Sequence, residues 1–377
     1  MTSNKLDFLN DPEKIELLQK TNKILNITQS NLKKIIFIYS KPKVGSTSLV
    51  TSLRIFVSHT FNVIHIHDEE MLRVLGNITN ITINEIILYN HFIGKEVYVI
   101  DVYRSPIERK ISTFFEKIDC YHFNNFCHEV NKYDIHKFFN RFDKIFPYIG
   151  NGDHFIDTYD ISIPSQFNFE EKFLHIKEDG VHYIKLRLKD SELWGTILTN
   201  ILKEQVKVIK DYETVNKTIK DSYLRFKENY RLPINFLDDL DKCPYLNYYY
   251  SESEKNEYLN EWKEKSKDRV SSFTSDEYKL YEYISRENNH LDIIQQRHYL
   301  DDGCRCKGCR IKRFNTRQKI LNGETKIDSI IHEDVKSDIL VSRINIINKI
   351  RSIKNYNNNN NNNKRNITTL SNVINLR

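Results

Sequence analysis

The sequence of 377 residues has few of the residues that mark fibrous, disulfide-rich or low-complexity proteins. Its 10 glycines and 7 prolines exclude a collagen-like or Pro/Gly-rich chain, and its 6 cysteines are too few for a disulfide scaffold. No window approaches the roughly 20 apolar residues of a membrane helix, and charged residues interrupt the first 30 positions, where a signal peptide needs an apolar run. These absences predict a soluble protein of a reducing, cytoplasmic compartment without a membrane span.

Charge and hydrophobicity indicate a chain that folds. The 57 Lys and Arg against 51 Asp and Glu give a net charge of +6, and 39% of the residues are hydrophobic. This apolar content separates the chain from disordered proteins, and the small net charge gives no reason to expect binding to nucleic acid. The length fits one large α/β domain with appendages, or two or three domains. Oligomeric state cannot be read from these quantities.

Short apolar runs that alternate with helical patterns predict an α/β fold. Strand-like runs lie at residues 34–39, 62–66, 97–102 and 181–188, and helical periodicity follows the first and third of them. Near-continuous apolar strands separated by helices are typical of a parallel sheet that is covered on both faces. The sequence therefore predicts a three-layer α/β fold with a mainly parallel central sheet flanked by helices.

Four segments are predicted along the chain. Residues 1–30 contain an amphipathic helix at residues 12–25, and residues 31–320 form the α/β domain with helical insertions. Residues 321–354 are predicted as a helical or extended segment. Residues 355–377 contain a run of asparagines that cannot bury apolar area, which predicts a disordered tail.

The first strand runs directly into a turn with the composition of an anion-binding loop, residues 40–48 (SKPKVGSTS). Gly45 lets the backbone approach a phosphate, the start of the following helix presents N–H groups, and Lys43 supplies a full charge. An ordinary βα turn with an exposed lysine has the same pattern. The nucleoside-triphosphatase loop G-x-x-x-x-G-K-[ST] does not match, because no lysine follows Gly45, and this disfavours an ATP or GTP hydrolase.

A second basic segment, residues 104–112 (RSPIERKIS), follows the third strand. Arg104 offers a planar fork of donors that suits a dianionic phosphate, and Ser112 adds a hydroxyl from the next helix. Arg104 could instead make a local cap or ion pair, with Ser112 as a spacer. Arg109 could join the phosphate site or pair with Glu108 or Asp101.

Together the two segments resemble those of PAPS-dependent sulfotransferases. Residues 42–48 fit P-K-x-G-[ST]-[ST]-[ST], the 5′-phosphosulfate loop of that family, and residues 104–112 fit R-x-P-x-x-R-x-x-S, whose arginine and serine hold the 3′-phosphate. The resemblance implies a P-loop-like fold, no metal, PAPS as co-substrate and Lys43 as the group that stabilises charge on the leaving phosphate. The implied cofactor-binding residues are Lys43, Val44, Gly45, Ser46, Thr47, Ser48, Arg104 and Ser112.

The acceptor hydroxyl must lose a proton during in-line transfer, so a general base is needed. Residues 61–115 look most like the uronosyl 2-O-sulfotransferase branch, in which a histidine shortly before the third strand is the base. That likeness implies His91 as base and a carbohydrate as acceptor. His67 is the second candidate because it lies at the end of the second strand, where sites of α/β proteins collect. The missing membrane anchor and disulfide set depart from that branch and put a glycan acceptor in doubt.

A C-x-C-x-x-C pattern lies near the end of the chain, at Cys304, Cys306 and Cys309. With His298 as fourth ligand it could hold zinc; a basic loop that closes over the cofactor phosphates, or a solvated loop, fits equally well. Two rival functions remain at this point. One is a kinase on a related fold that uses Lys43 on ATP phosphates, and the other is a non-catalytic protein whose basic residues 304–319 contact nucleic acid or an acidic partner.

Overall fold

A central five-stranded sheet organises the computed structural model, which describes residues 5–28, 31–116, 118–123, 125, 127–210, 218–287, 318 and 322–323. Its strands are β1 Lys34–Tyr39, β2 Phe61–Ile66, β3 Glu96–Tyr103, β4 Phe173–Glu178 and β5 Val181–Arg187. The strand order is β2-β1-β3-β5-β4. All neighbouring pairs are parallel except β4 with β5, so the predicted α/β fold with a mainly parallel sheet is confirmed.

Helices occupy most of the remaining described chain. They are α1 Pro12–Ile24, α2 Ser46–Phe56, α3 Glu70–Gly76, α4 Ile83–Phe92, α5 Pro106–Glu116, α6 Cys127–Val130, α7 Ile135–Ile145, α8 His154–Asp157, α9 Trp194–Leu202, α10 Lys220–Asn229, α11 Ile234–Asp241, α12 Pro244–Tyr249, α13 Glu252–Glu264 and α14 Ser275–Glu287. Short 3-10 turns lie at Asp7–Asn10, Phe146–Tyr148 and Leu188–Leu193, and a π turn at Ile118–His122. Two-residue strands β6 Leu232–Pro233 and β7 Ser266–Lys267 pair in parallel.

The sheet separates two hydrophobic cores, which makes the three layers. Alternate residues of β1 enter opposite cores: Ile35 and Phe37 pack with the larger one, which includes α4, α5 and α7, while Ile36 and Ile38 pack with α2 and α9. Side chains alternate between faces along a strand, so a continuous apolar run such as residues 34–39 is what a doubly covered strand requires.

The structure fixes two edges of the sheet, which we name by the direction of its parallel strands. The carboxyl edge is where β1, β2, β3 and β5 end, and the amino edge is where they begin. Loops at the carboxyl edge are where ligands of open α/β sheets bind. Across the part of the chain that the structure describes, no helix has the length and apolar character needed to cross a membrane.

The predicted element bounds agree with the structure to within a few residues. The first strand is found at Lys34–Tyr39, the N-terminal helix ends at Ile24, and helices follow the first and third strands as predicted. Helix α4 and the antiparallel edge strand β4 were not predicted. The asparagine-rich tail and nearly all of the segment 321–354 lie outside the described residues.

Candidate functional site

The loop between β1 and α2, residues 40–45, has a backbone that only certain residues tolerate. Lys43 (φ 68°) and Gly45 (φ 94°) adopt the left-handed conformation. A Cβ at Gly45 would lie 2.9 Å from Leu188 Cδ1 and 3.3 Å from the Trp194 ring, so a larger residue would clash as well as strain the backbone. The loop is thereby held close to β5 and α9, and it delivers the start of α2, with its N–H groups, to the carboxyl edge.

Two arginines of the second segment bind this loop. Arg104 Nη1 donates a hydrogen bond to the Lys43 carbonyl oxygen at 2.9 Å, and Arg109 Nε donates to the Pro42 carbonyl oxygen at 3.3 Å. Carbonyl oxygens repel an anion, but the carbonyl oxygens of Pro42 and Lys43 are each bound by a guanidinium group, which offsets this repulsion. The two segments that the sequence singled out therefore form one site at the carboxyl edge.

Helix α5 presents one face to the same loop. Arg109, Ser112 and Glu116 are spaced three and four residues apart, so they share that face. Arg109 contacts Pro42, and Glu116 Oε2 lies 2.5 Å from Lys43 Nζ. Ser112 lies between them along the helix and is buried, and Ser46 is buried at the start of α2. No motif or spacing in the sequence singles out Glu116.

Three polar atoms at the carboxyl edge are buried without a hydrogen-bond partner among the described residues. They are Ser40 Oγ, Tyr103 OH and Arg104 Nε, and they follow or end β1 and β3. An unsatisfied buried donor or acceptor costs about 1–3 kcal/mol, so such a group is expected to meet a ligand or water. Burial lowers the pKa of Arg104, but a guanidinium keeps its charge near neutral pH. Its unpaired Nε is therefore a charged donor suited to an anion.

His67, the residue after β2, reaches the loop from the neighbouring strand. Its Nδ1 lies 2.7 Å from the Ser40 carbonyl oxygen. Because a carbonyl only accepts, Nδ1 carries the hydrogen, and Nε2 is the nitrogen that accepts a proton in the neutral ring. His154 Nε2 donates to the His67 carbonyl oxygen at 2.7 Å, and burial lowers the pKa of His154 to about 3. His67 is thus held by both its ring and its backbone, in the tautomer of a general base.

His65 lies two residues earlier, inside β2. Its ring is buried, its Nε2 is 3.2 Å from Ser46 Oγ, and its ring centroid is 4.5 Å from that of His67. It supports the start of α2 from within the sheet, in agreement with a structural role.

His91, the first candidate for the general base, lies at the amino edge of the sheet, apart from the loop 40–45 that carries Lys43. It belongs to the last turn of α4, which precedes the amino end of β3. The seven residue steps from Glu96 to Tyr103, at roughly 3.3 Å each, place the two ends of β3 more than 20 Å apart. Because β1 runs parallel to β3, Lys43 is at the far end. A residue shortly before a parallel strand lies at the amino edge, whereas Lys43 and Arg104 lie at the carboxyl edge.

A buried ionic cluster lies beneath the site. Lys185 Nζ on β5 is 2.7 Å from Asp101 Oδ2 and 2.5 Å from Asp153 Oδ2, and Tyr249 OH donates to Asp153. Burial raises the pKa of Asp101 to about 6 although Lys185 opposes the shift. The cluster anchors Asp153 to the sheet and so positions the preceding loop residues.

Arg109 ties that loop to the site. It donates from Nη1 to the Gly152 carbonyl oxygen at 2.6 Å and from Nη2 to the Asn151 carbonyl oxygen at 3.1 Å. Together with its bond to Pro42, these contacts make Arg109 a brace between two loops. The alternatives left by the sequence, a phosphate ligand or an ion pair with Glu108 or Asp101, are replaced by this arrangement of backbone contacts.

Metal binding finds no support in the described ranges, where no group of three or more His, Cys, Asp or Glu side chains could hold an ion. Cys304, Cys306, Cys309 and His298 lie outside the described residues. No family model matches this chain, and neither a curated protein nor a solved structure matches it.

Proposed function

We propose that this protein is a PAPS-dependent sulfotransferase, which moves a sulfuryl group from PAPS to an acceptor hydroxyl by in-line transfer. The observation that carries the proposal is the hydrogen bond from Arg104 Nη1 to the Lys43 carbonyl oxygen at 2.9 Å. It joins a loop suited to a 5′-phosphosulfate and an arginine suited to a 3′-phosphate in one site. A carbohydrate is the acceptor class that the sequence resemblance implies.

The donor set fits a nucleotide with phosphate groups at both ends of its ribose. Lys43, the N–H groups at the start of α2 and the hydroxyls of Ser46, Thr47 and Ser48 suit the 5′ end. Arg104, with its buried and unpartnered Nε, and Ser112 suit the 3′-phosphate. PAPS, when bound, supplies an activated sulfuryl group and a phosphate leaving group.

Lys43 is the residue proposed to stabilise the charge that develops on the leaving phosphate. Transfer of this kind needs little covalent help from the protein, so alignment and electrostatic stabilisation carry most of the catalysis. The Lys43 side chain is 14% exposed and its ammonium is held by Glu116. A low-exposure lysine interacts strongly with an incoming anion, because water screens it little.

His67 is proposed as the general base in place of His91. Its hydrogen on Nδ1 is fixed by the Ser40 carbonyl oxygen, and Nε2 can take the proton of the acceptor hydroxyl. Ser40 is the first residue of the loop 40–45, so the base and Lys43 belong to the same edge of the sheet.

The proposal is tested by transfer of labelled sulfuryl groups from PAPS to a panel of glycans, phenols, steroids and tyrosyl peptides. We expect transfer to one class by the wild type and its loss in Lys43→Ala, with Lys263→Ala, an exposed lysine of α13, as the matched control. The shift in Tm on addition of PAPS or of ATP–magnesium distinguishes a sulfotransferase from a kinase, because the stabilisation by a ligand follows its affinity. Stabilisation by ATP–magnesium alone, without sulfuryl transfer, would overturn the proposal.

A further inference from the structure

A cavity lies at the amino edge of the sheet, on the opposite side from the loop 40–45. It is an open groove formed by the turn from α4 to β3 and by the hairpin of β4 and β5, with a volume of about 360 Å³. This volume falls in the range of small-molecule sites, about 300–1,000 Å³. Its lining residues are His91, Gly94, Lys95, Glu96, Lys177, Gly180 and His182.

The acidic groups around this amino-edge cavity are all paired with lysines. Glu96 Oε2 is 3.2 Å from Lys34 Nζ, and its Oε1 accepts a hydrogen bond from Tyr98 OH. In the β4–β5 hairpin, Glu178 and Asp179 lie 2.9 and 3.2 Å from Lys5 Nζ. Among the residues that line the cavity, two lysines, Lys95 and Lys177, stand against the single carboxylate of Glu96, so the lining carries an excess of positive charge.

Those lysines come from both walls of the cavity. Lys95 follows Gly94 in the turn before β3, and its Nζ donates to the Leu32 carbonyl oxygen at 2.9 Å. Lys177 is exposed on β4 and lies opposite His182 on β5 in the strand register. The cavity is therefore electropositive, and it suits a ligand with negative charge.

The histidines add hydrogen-bond donors. His175 Nε2 and His182 Nδ1 are 2.9 Å apart, and His182 stacks on Tyr98 with ring centroids 4.6 Å apart. When His175 Nε2 donates this hydrogen bond, His182 Nδ1 is the acceptor, and the neutral His182 ring then carries its hydrogen on Nε2. Burial, followed by the charges of His175 and Lys177, lowers the pKa of His182, and Glu96 opposes this shift.

His91 forms part of the wall of the cavity. Its Nδ1 is buried without a hydrogen-bond partner among the described residues. Its ring packs against the Cα of Gly180, where an added Cβ would lie 2.0 Å from Nε2. Next to it, Phe92 is 62% exposed and Ile93 is 45% exposed, so an apolar surface borders the basic one.

We infer that this amino-edge cavity binds a small organic anion, one that carries phosphate or carboxylate groups on an apolar body. Lys95, Lys177 and His182 would hold the charged groups, and Phe92 with Ile93 would contact the apolar part. The length of β3 separates this site from Lys43 and Arg104, so it is independent of the proposed sulfuryl transfer and does not rest on it.

Histidine ring NMR on the full chain tests the inference, because His91 and His182 report this cavity while His65 and His67 report the other edge. The probes are phenyl phosphate, inorganic phosphate and isophthalate. We expect phenyl phosphate or isophthalate to shift the His91 and His182 signals saturably, and inorganic phosphate to bind more weakly because it lacks the ring. Comparison of phenyl phosphate with isophthalate distinguishes a phosphate ligand from a carboxylate one.

Lys177→Gln should weaken binding about tenfold, as expected for the loss of one charge-assisted hydrogen bond. Lys263→Gln, an exposed control with the same change of charge, should leave the affinity unchanged, and so should Lys43→Ala at the other edge. His182→Gln gives a second variant with the same expected loss. The inference is overturned if neither organic probe moves the His91 and His182 signals, or if Lys177→Gln and His182→Gln bind with wild-type affinity.

Discussion

Glu116 holds the ammonium group of Lys43 in an ion pair, with Oε2 2.5 Å from Nζ. The carboxylate comes from the last residue of α5, and both side chains are largely shielded from water. An anion that binds at the loop must therefore compete with Glu116 for Lys43.

We expect Glu116→Gln to strengthen binding of 3′-phosphoadenosine 5′-phosphate by about threefold to tenfold, because the amide keeps the shape and removes the competing charge. Calorimetry on both proteins measures the change, with Glu261→Gln on the exposed side of α13 as the control. Weaker binding by Glu116→Gln would mean that Glu116 supports the bound state and does not oppose it.

His67 and His91 should respond differently to substitution, because they lie at opposite edges of the sheet. His67→Gln should lower kcat of sulfuryl transfer by about 10²- to 10⁴-fold, the usual contribution of a general base, with nucleotide affinity nearly unchanged. His91→Gln should retain wild-type kcat. The measurement is steady-state transfer to the acceptor found in the screen, and a large loss in His91→Gln alone would refute the assignment.

Gly45 and Gly94 form a matched pair for testing the loop. Both have positive φ, 94° and 87°, but a Cβ at Gly45 would meet Leu188 and Trp194, whereas nothing lies within 4 Å of one at Gly94. Gly45→Ala and Gly94→Ala should each lower the free energy of unfolding by about 1–2 kcal/mol, because alanine is strained in the left-handed conformation. Gly45→Ala should lower it further because of its close contacts, and it should also abolish nucleotide binding. Urea unfolding and calorimetry check this, and equal effects of the two substitutions would contradict the close approach.

His154 should make stability fall as the pH is lowered. Burial lowers its pKa from 6.5 to about 3, so between these values the unfolded chain binds a proton that the folded protein does not. The free energy of unfolding contains the full contribution of neutral His154 above pH 6.5, and this contribution should decrease by about 2 kcal/mol between pH 7 and 5. Urea unfolding across this range should show a smaller decrease for His154→Gln. An unchanged pH dependence in that variant would show that His154 protonates without cost in the folded protein.

The sheet could be predicted from the sequence because its strands are short, apolar and separated by helical patterns, as in residues 34–39. Strand β4 escaped prediction because it is an edge strand with exposed polar residues such as His175 and Lys177, and its pattern is set by its partner β5. Edge strands of this kind carry too little apolar signal to be recognised alone.

The local segments of the site could be predicted from the sequence, whereas its long-range contacts could not. The loop 42–48 and Arg104 are adjacent to strands, so their composition indicated a common edge. Glu116 and Asp153 enter through tertiary contacts, with Lys43 and with Lys185, that no spacing reveals. The resemblance points to His91, which lies shortly before a strand and so at the amino edge, whereas His67 follows a strand and lies at the carboxyl edge with Lys43.

The most direct test of the proposed site is a calorimetric comparison of 3′-phosphoadenosine 5′-phosphate with adenosine 5′-phosphate on the wild type and on Arg104→Ala. If Arg104 holds a 3′-phosphate, the wild type should bind the doubly phosphorylated nucleotide at least tenfold more tightly, and Arg104→Ala should lose most of that preference. Equal affinity of the wild type for both nucleotides, or no binding of either by the folded protein, would contradict the proposed function.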